Sequence, residues 1–256
     1  MEERSLSEAL HAVIGQDIFA PYALPPFDNS AVDGYAFRHA DIGATKTLSI
    51  IGEAAAGKPF SGQELPPKSA VRISTGGMIP PQCDTVVMQE VCKIEGEQLT
   101  LSDIPSLGSS IRRAGNDIQA SALALKSGQR LRPQDIAFLH ALGMKNIPVK
   151  PRLRIAIIST GLELRSTGGP LGSGQIIDTN GLMLLQLLQN LDADVSLLPS
   201  LPDDYEETLA FIKKTSADHD IIITTGGVSV GGHDYVRDVM HQEDLFSTLS
   251  WVVRQS

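Results

Sequence analysis

Cysteine is almost absent: Cys83 and Cys92 are the two thiols in 256 residues. So few thiols support no disulfide framework, and their spacing is not that of a zinc site. The usage fits a cytosolic chain with reduced, structural thiols. No run reaches the roughly 20 apolar residues needed to span a bilayer. Residues 182–188, among the longest apolar pieces, are interrupted by Gln186. No charged n-region precedes an apolar h-region, and His11, Gln16 and Asp17 break the first apolar stretch, so no leader peptide is expected. Positive charge is in deficit: 21 Lys+Arg against 30 Asp+Glu leave a net charge of −9. An acidic chain repels phosphate backbones, which disfavours nucleic-acid binding but allows a local pocket for a small anion. Also missing are the Gly-x-Gly-x-x-Gly fingerprint and a lysine-bearing phosphate loop. The six histidines show no metal-ligand spacing. No Ser–His–Asp arrangement and no nucleophilic cysteine setting is visible.

What is present is globular material, 42% hydrophobic and 20% charged, enough for one large or two modest domains. Three zones differ in texture. Residues 1–40 hold one short helical pattern and then a proline-rich, polar and aromatic stretch. Residues 41–124 alternate β-like pieces, at 47–51, 70–74, 85–89 and 98–101, with Gly and Pro turns. Pro133 opens a short helix that Gly143 closes. From residue 151 strands and helices alternate. Residues 152–159, 194–198 and 220–225 read as buried strands. Helices open at Thr179-Asn180, with Leu184, Leu187, Leu188 and Leu191 on one face, at Asp203-Asp204, and near Asp234. That alternation predicts a parallel α/β sheet with helices on both faces.

The third strand runs into Gly226-Gly227-Val228-Ser229-Val230-Gly231-Gly232. Loops at the carboxyl ends of parallel strands line the ligand crevice of such sheets. Glycines admit close backbone approach, and amides at a helix start attract anions. A phosphate cradle and a plain tight turn with positive φ both fit. Glu163, Asp178, Asp203 and Asp234 fall near the same sheet edge, where clustered carboxylates suit Mg²⁺. Helix capping is the other reading, above all for Asp203 and Asp234. Arg112-Arg113 fits either a phosphate contact or a solvated pair.

At these segments the chain resembles the molybdopterin molybdenumtransferase family, the molybdenum-insertion enzymes related to the gephyrin E domain. The residues that carry the resemblance are Phe27-Asp28-Asn29-Ser30-Ala31-Val32-Asp33-Gly34-Tyr35-Ala36, Arg72-Ile73-Ser74-Thr75-Gly76 and Ile111-Arg112-Arg113-Ala114-Gly115-Asn116-Asp117-Ile118. Further on they are Ser159-Thr160-Gly161-Leu162-Glu163-Leu164, residues 174–180, and Gly226-Gly227-Val228-Ser229-Val230-Gly231.

The resemblance implies an α/β domain plus an inserted β-rich domain in an elongated, multidomain chain. On that reading residues 1–40 and 120–150 form an extended dimerisation region and residues 41–119 the β-rich insertion. Residues 151–256 form a doubly wound molybdopterin-binding domain that is incomplete at its end. It implies transfer of molybdenum from molybdate to adenylylated molybdopterin, with Mg²⁺ and release of AMP. It also implies a cytoplasmic homodimer whose site lies between the α/β domain of one subunit and the β-rich domain of the other. The adenylyltransferase that makes the substrate is an expected partner. Asp33, Thr75, Asp117, Glu163, Asp203 and Asp234 match the family's activity positions, and Glu163, Asp203 and Asp234 become the expected metal ligands. Thr160, Gly161, Asp178, Asn180, Gly226, Gly227, Ser229 and Gly231 become the expected molybdopterin contacts.

Three departures stand out. Leu162 replaces an aspartate common in the family, Asn116 stands where an acid pair is common, and residues 245–256 leave the pattern before the family's later proline-rich loops. A second reading is therefore a shortened relative that binds pterin, nucleotide or a protein partner without turnover.

Overall fold

The computed structural model describes residues 1–226 except Gln63, Leu162, Thr167, Pro202 and Asp203, together with Val236 and Val239. In chain order the strands are β1 (Glu2–Ser5), β2 (Ile18–Phe19), β3 (Asn29–Ser30), β4 (Gly34–Phe37), β5 (Thr47–Ala54) and β6 (Ser69–Ile73). Next come β7 (Thr85–Met88), β8 (Cys92–Glu95), β9 (Gln98–Leu101), β10 (Ile111–Arg112), β11 (Leu123–Leu125), helix α1 (Pro133–Ala141) and β12 (Asn146–Val149). The remaining elements are β13 (Leu153–Ser159), β14 (Leu164–Arg165), β15 (Ile176–Ile177), α2 (Asn180–Leu188), β16 (Ala193–Leu198), α3 (Tyr205–Asp218) and β17 (Ile221–Thr225). Two compact units result. One comprises Ile14–Gln129 and Pro133–Ile147; the other comprises Met1–Val13, Arg130–Arg132 and Pro148–Ser256.

The first unit is built on a six-stranded sheet in the order β7-β4-β6-β5-β9-β8, in which only β5 and β6 run parallel. Side chains alternate across a strand, and here both faces are covered. Ala36, Val71, Val86 and Ile73 enter one core with Leu65 and Ile79. Tyr35, Phe37, Ala70, Val87, Leu99 and Leu101 enter the other. Burial on both faces explains why Gly34–Phe37 and Ser69–Ile73 read as nearly continuous apolar runs. It also shifts the expected start of the β-rich segment. β4 precedes residue 41, yet it lies between β6 and β7, because its partners are distant in sequence. Burial raises the Cys83 thiol to about 12 and the Cys92 thiol to about 11, in keeping with structural thiols.

The expected short helix in residues 1–40 does not form: among the described residues the first α-helix is α1. His11 takes φ +70, and the backbone of residues 11–13 turns to a neighbouring segment. His11 N donates to Leu131 O at 3.0 Å, and Leu131 N donates to Ala12 O at 2.9 Å. A left-handed residue and cross-chain pairing exclude i→i−4 bonding there.

In the second unit β13 lies between β16 and β17, parallel to both, with Ile157 opposite Leu197 and Ile223, and Ser159 opposite Thr225. Ile158 and Ile222 face α3, packing with Leu201, Ile212, Val236 and Val239. The alternate residues face α2: a Cβ on Gly181 would approach Leu197 and Ser159. Helices therefore cover both faces, as predicted. Asp204 caps α3 by accepting the Glu207 N–H at 3.0 Å, so the cap belongs to the second residue of the Asp203-Asp204 pair. On α2 the apolar face differs from the expected one. Leu184, Leu185 and Leu188 are half-buried, whereas Leu187 and Leu191 are exposed along with Leu182 and Met183. The helix is apolar on several sides, so its periodicity did not single out the side that meets the sheet.

Candidate functional site

In the β-rich unit the signature segment is held by backbone pairing to two other polar stretches. β3 pairs antiparallel with β10, Arg112 opposite Asn29. On its other side Ser30 N donates to Gly77 O at 3.0 Å and Gly76 N to Ser30 O at 2.8 Å. Three segments far apart in sequence thus share one polar surface. Asp33 leaves β3 as an exposed residue whose Oδ1 accepts both the Thr75 amide at 2.7 Å and the Thr75 hydroxyl at 3.0 Å. These bonds hold the Asp33 carboxyl below the usual carboxylate range. Thr75→Ala removes the hydroxyl donor and keeps the amide. The Asp33 carboxyl, followed by carbon NMR, is expected to titrate at higher pH in that variant; an unmoved titration would show that the hydroxyl does not bind it.

Both arginines are exposed, and each is paired with a carboxylate. Arg112 clamps both oxygens of Asp117 at 3.0 Å each. Arg113 meets Asp28 at 2.6 Å, and Asp28 also accepts the Ala114 N–H at 2.8 Å. The amide of Ala114, ahead of the Arg113 charge, lowers the Asp28 carboxyl. Asp28 was not among the residues singled out from sequence. The signal for it was its place in the Phe27-Asp28-Asn29-Ser30 run beside a turn.

In the α/β unit the polar residues gather at the carboxyl edge of the sheet. The Ser159 hydroxyl donates to Asp178, and Asp178 accepts the Gly181 N–H at 3.0 Å. Asp178 thus fastens the start of α2 to the end of β13. Thr160 donates through its amide and its hydroxyl to Thr225 O, each at 3.0 Å. Gly226 has φ +89, and a Cβ there would lie 2.6 Å from Thr160 Oγ1. Its described role is therefore the tight turn that follows the strand. Glu163 is exposed, on the connection between β13 and β14, and Asn180 is exposed at the first turn of α2. Gly161 lies beside the Glu163 carboxylate. Asp203, Gly227, Ser229, Gly231 and Asp234 lie outside the described residues, so the cradle reading of the glycine loop does too. Asp33, Thr75 and Asp117 belong to one unit, and Thr160, Gly161, Glu163, Asp178, Asn180 and Gly226 to the other.

Among the described residues no three His, Cys, Asp or Glu side chains converge as a metal-binding group. Glu163 is the single described member of the expected ligand trio, so the residues in view do not amount to a Mg²⁺ site. A cleft of about 600 Å³ lies at the opposite, amino-terminal edge of the sheet, lined by Glu2, Arg4, Arg152, Arg154, Asp194 and Asp220 among others. Its charges are mutually paired. Arg4 meets Asp192 at 2.6 Å, Arg152 meets Asp192 at 2.7 Å, and Arg154 meets Asp220 at 2.8 Å. Such pairs tie strand starts together, whereas ligands of open α/β sheets enter at the carboxyl edge. No helix among the described residues is long and apolar enough to cross a membrane.

Residues 1–143 match the family description "MoeA N-terminal region (domain I and II)", and residues 156–249 match "Probable molybdopterin binding domain". The chain is 40% identical over 242 residues to a molybdopterin molybdenumtransferase of Haemophilus influenzae, covering 94% of this chain and 60% of that protein. It is 36% identical to molybdopterin molybdenumtransferase 2 of Mycobacterium tuberculosis, with 93% and 60% covered. A solved molybdopterin biosynthesis MoeA protein of Pyrococcus horikoshii superposes with a TM-score of 0.80 at 34% identity, over 88% of this chain and 61% of that one. The chain spans about 60% of the length of these relatives. With the first match alone covering more than half of it, this chain belongs to the MoeA family.

Proposed function

We propose that this chain binds molybdopterin at the carboxyl edge of β13 and β17 and serves molybdenum cofactor synthesis. The observation that carries the reading is the linked polar edge of Ser159, Asp178, Thr160 and Gly226. It falls at a topologically favoured ligand position inside the residues matched to a molybdopterin-binding domain. The finer reading is a transferase step. Water attacks the phosphoanhydride of adenylylated molybdopterin, AMP leaves while the other phosphate stays on the pterin, and the two dithiolene sulfurs replace oxygen ligands of molybdate, which depart as water. Catalysis then rests on positioning and electrostatics, and no protein nucleophile is needed. Asp33, held by Thr75, and Asp117, held by Arg112, supply fixed carboxylates. Glu163 supplies an exposed one at the sheet edge, and Asp203 and Asp234 complete the proposed acidic set. Bound Mg²⁺ would polarise phosphoryl oxygens. A cytoplasmic homodimer, supplied by an adenylyltransferase, belongs to the same reading, and light scattering of the purified chain tests the dimer.

The deciding assay mixes the chain with adenylylated molybdopterin, molybdate and Mg²⁺ and measures AMP. Molybdate-dependent release supports the transferase. Glu163→Gln is expected to lower that release by about 100-fold. Its melting temperature should not change, because Glu163 is exposed. Tight binding of molybdopterin without AMP release would favour the second reading, a relative that binds without turnover.

A further inference from the structure

One buried side-chain polar atom among the described residues has no hydrogen-bond partner, and it is the Thr225 hydroxyl oxygen. Thr225 ends β17 directly opposite Ser159 on β13. Paired residues of parallel strands point to the same face. Ile158 and Ile222 face α3, so Ser159 and Thr225 face α2. Ser159 on that face donates to Asp178, which fastens the start of α2. The Thr225 backbone carbonyl is already engaged, accepting from both donors of Thr160, and Gly226 turns the chain immediately afterwards. The hydroxyl therefore stands at the polar carboxyl edge with no hydrogen-bond partner among the described residues.

A buried hydroxyl without a partner costs free energy in the free protein. Valine would fill the same space, keep the β-branched shape that suits a strand, and remove that cost. Its use lies with whatever fills the edge. Resting on the reading of this edge as the molybdopterin site, we propose that Thr225 is a ligand-positioning residue, its hydroxyl donating to an acceptor oxygen of bound molybdopterin.

The test compares Thr225→Val and Thr225→Ser with the unmutated chain, reading melting temperature without ligand and molybdopterin affinity by titration calorimetry. Thr225→Val is expected to melt no lower than the unmutated chain and to bind molybdopterin at least about tenfold more weakly. Thr225→Ser, which keeps the hydroxyl, should hold affinity within about threefold. A purely structural hydroxyl predicts the reverse for Thr225→Val, a lower melting temperature with affinity retained, and that result would overturn the assignment. Unchanged affinity at unchanged stability overturns it as well and leaves the molybdopterin site standing. Failure of the unmutated chain to bind molybdopterin removes the site itself, and this inference with it.

Discussion

Gly34→Ala lowers the free energy of unfolding of the β-rich unit by at least about 3 kcal/mol, at the upper end of overpacking costs. A Cβ on Gly34 would lie 1.9 Å from Val87 O and 2.9 Å from Val87 C, both backbone atoms of β7. Overpacking is usually relieved by a rotamer change. Here the obstacle is the partner strand itself, so β4 must part from β7 or bend. Gly34 also pairs with Ile73 of β6, so a shift that frees one neighbour strains the other. Tyr35, Ala36 and Phe37 follow directly and enter both cores, so the displacement reaches each of them. Gly43→Ala is the matched control, since a Cβ there meets nothing within 4 Å, and it should stay within about 0.5 kcal/mol. Urea unfolding reads both: a lower midpoint at unchanged slope is expected for Gly34→Ala. A midpoint equal to that of Gly43→Ala would mean that β4 does not lie against β7 as described.

Ile158→Asp is expected to abolish folding of the α/β unit. Ile158 is fully buried at the centre of the three-stranded sheet, among Ile212, Leu201, Val236 and Val239. Truncating a buried isoleucine costs about 2–5 kcal/mol. Burying an unpaired carboxyl in its place adds several more, even if the group takes up a proton. The sum rivals the roughly 5–15 kcal/mol that holds a whole domain together. Ile158→Val should cost about 0.5–1.5 kcal/mol. The sheet of the β-rich unit has cores of its own that share no residue with this cluster. Limited proteolysis of Ile158→Asp should therefore cut within residues 153–225 while residues 34–101 stay protected. Uniform cutting along the chain would show that the two units fold as one.

Local chemistry made much of this protein legible before any coordinates. The strands at 153–159, 193–198 and 221–225, the helices opening at Pro133, Asn180 and Tyr205, and the turn at Gly226 all follow from short-range rules: apolar runs, caps and positive-φ glycine. The motif segments were visible for the same reason, since each is a dense run of polar and turn-forming residues with no packing pattern to explain it.

What the chain could not disclose locally is every decision made by distant partners. Residues 1–40 carry a helical texture, yet pairing with residues 130–131 turns part of them into extended backbone. β4 belongs to a sheet whose other strands begin more than ten residues later, and only that pairing brings the Asp33 turn beside Thr75. Arg112 and Arg113 looked alike in sequence, but Arg112 pairs locally with Asp117, whereas Arg113 reaches Asp28 of the segment that β3 brings beside β10. Thr225 looked like any strand-end threonine. Its hydroxyl became notable only when the register with Ser159 set its face and burial removed it from water without a partner. Propensity and patterning act over a few residues, and they set which elements exist. Hydrogen-bond satisfaction and burial are settled between segments tens of residues apart, and they set which side chains meet.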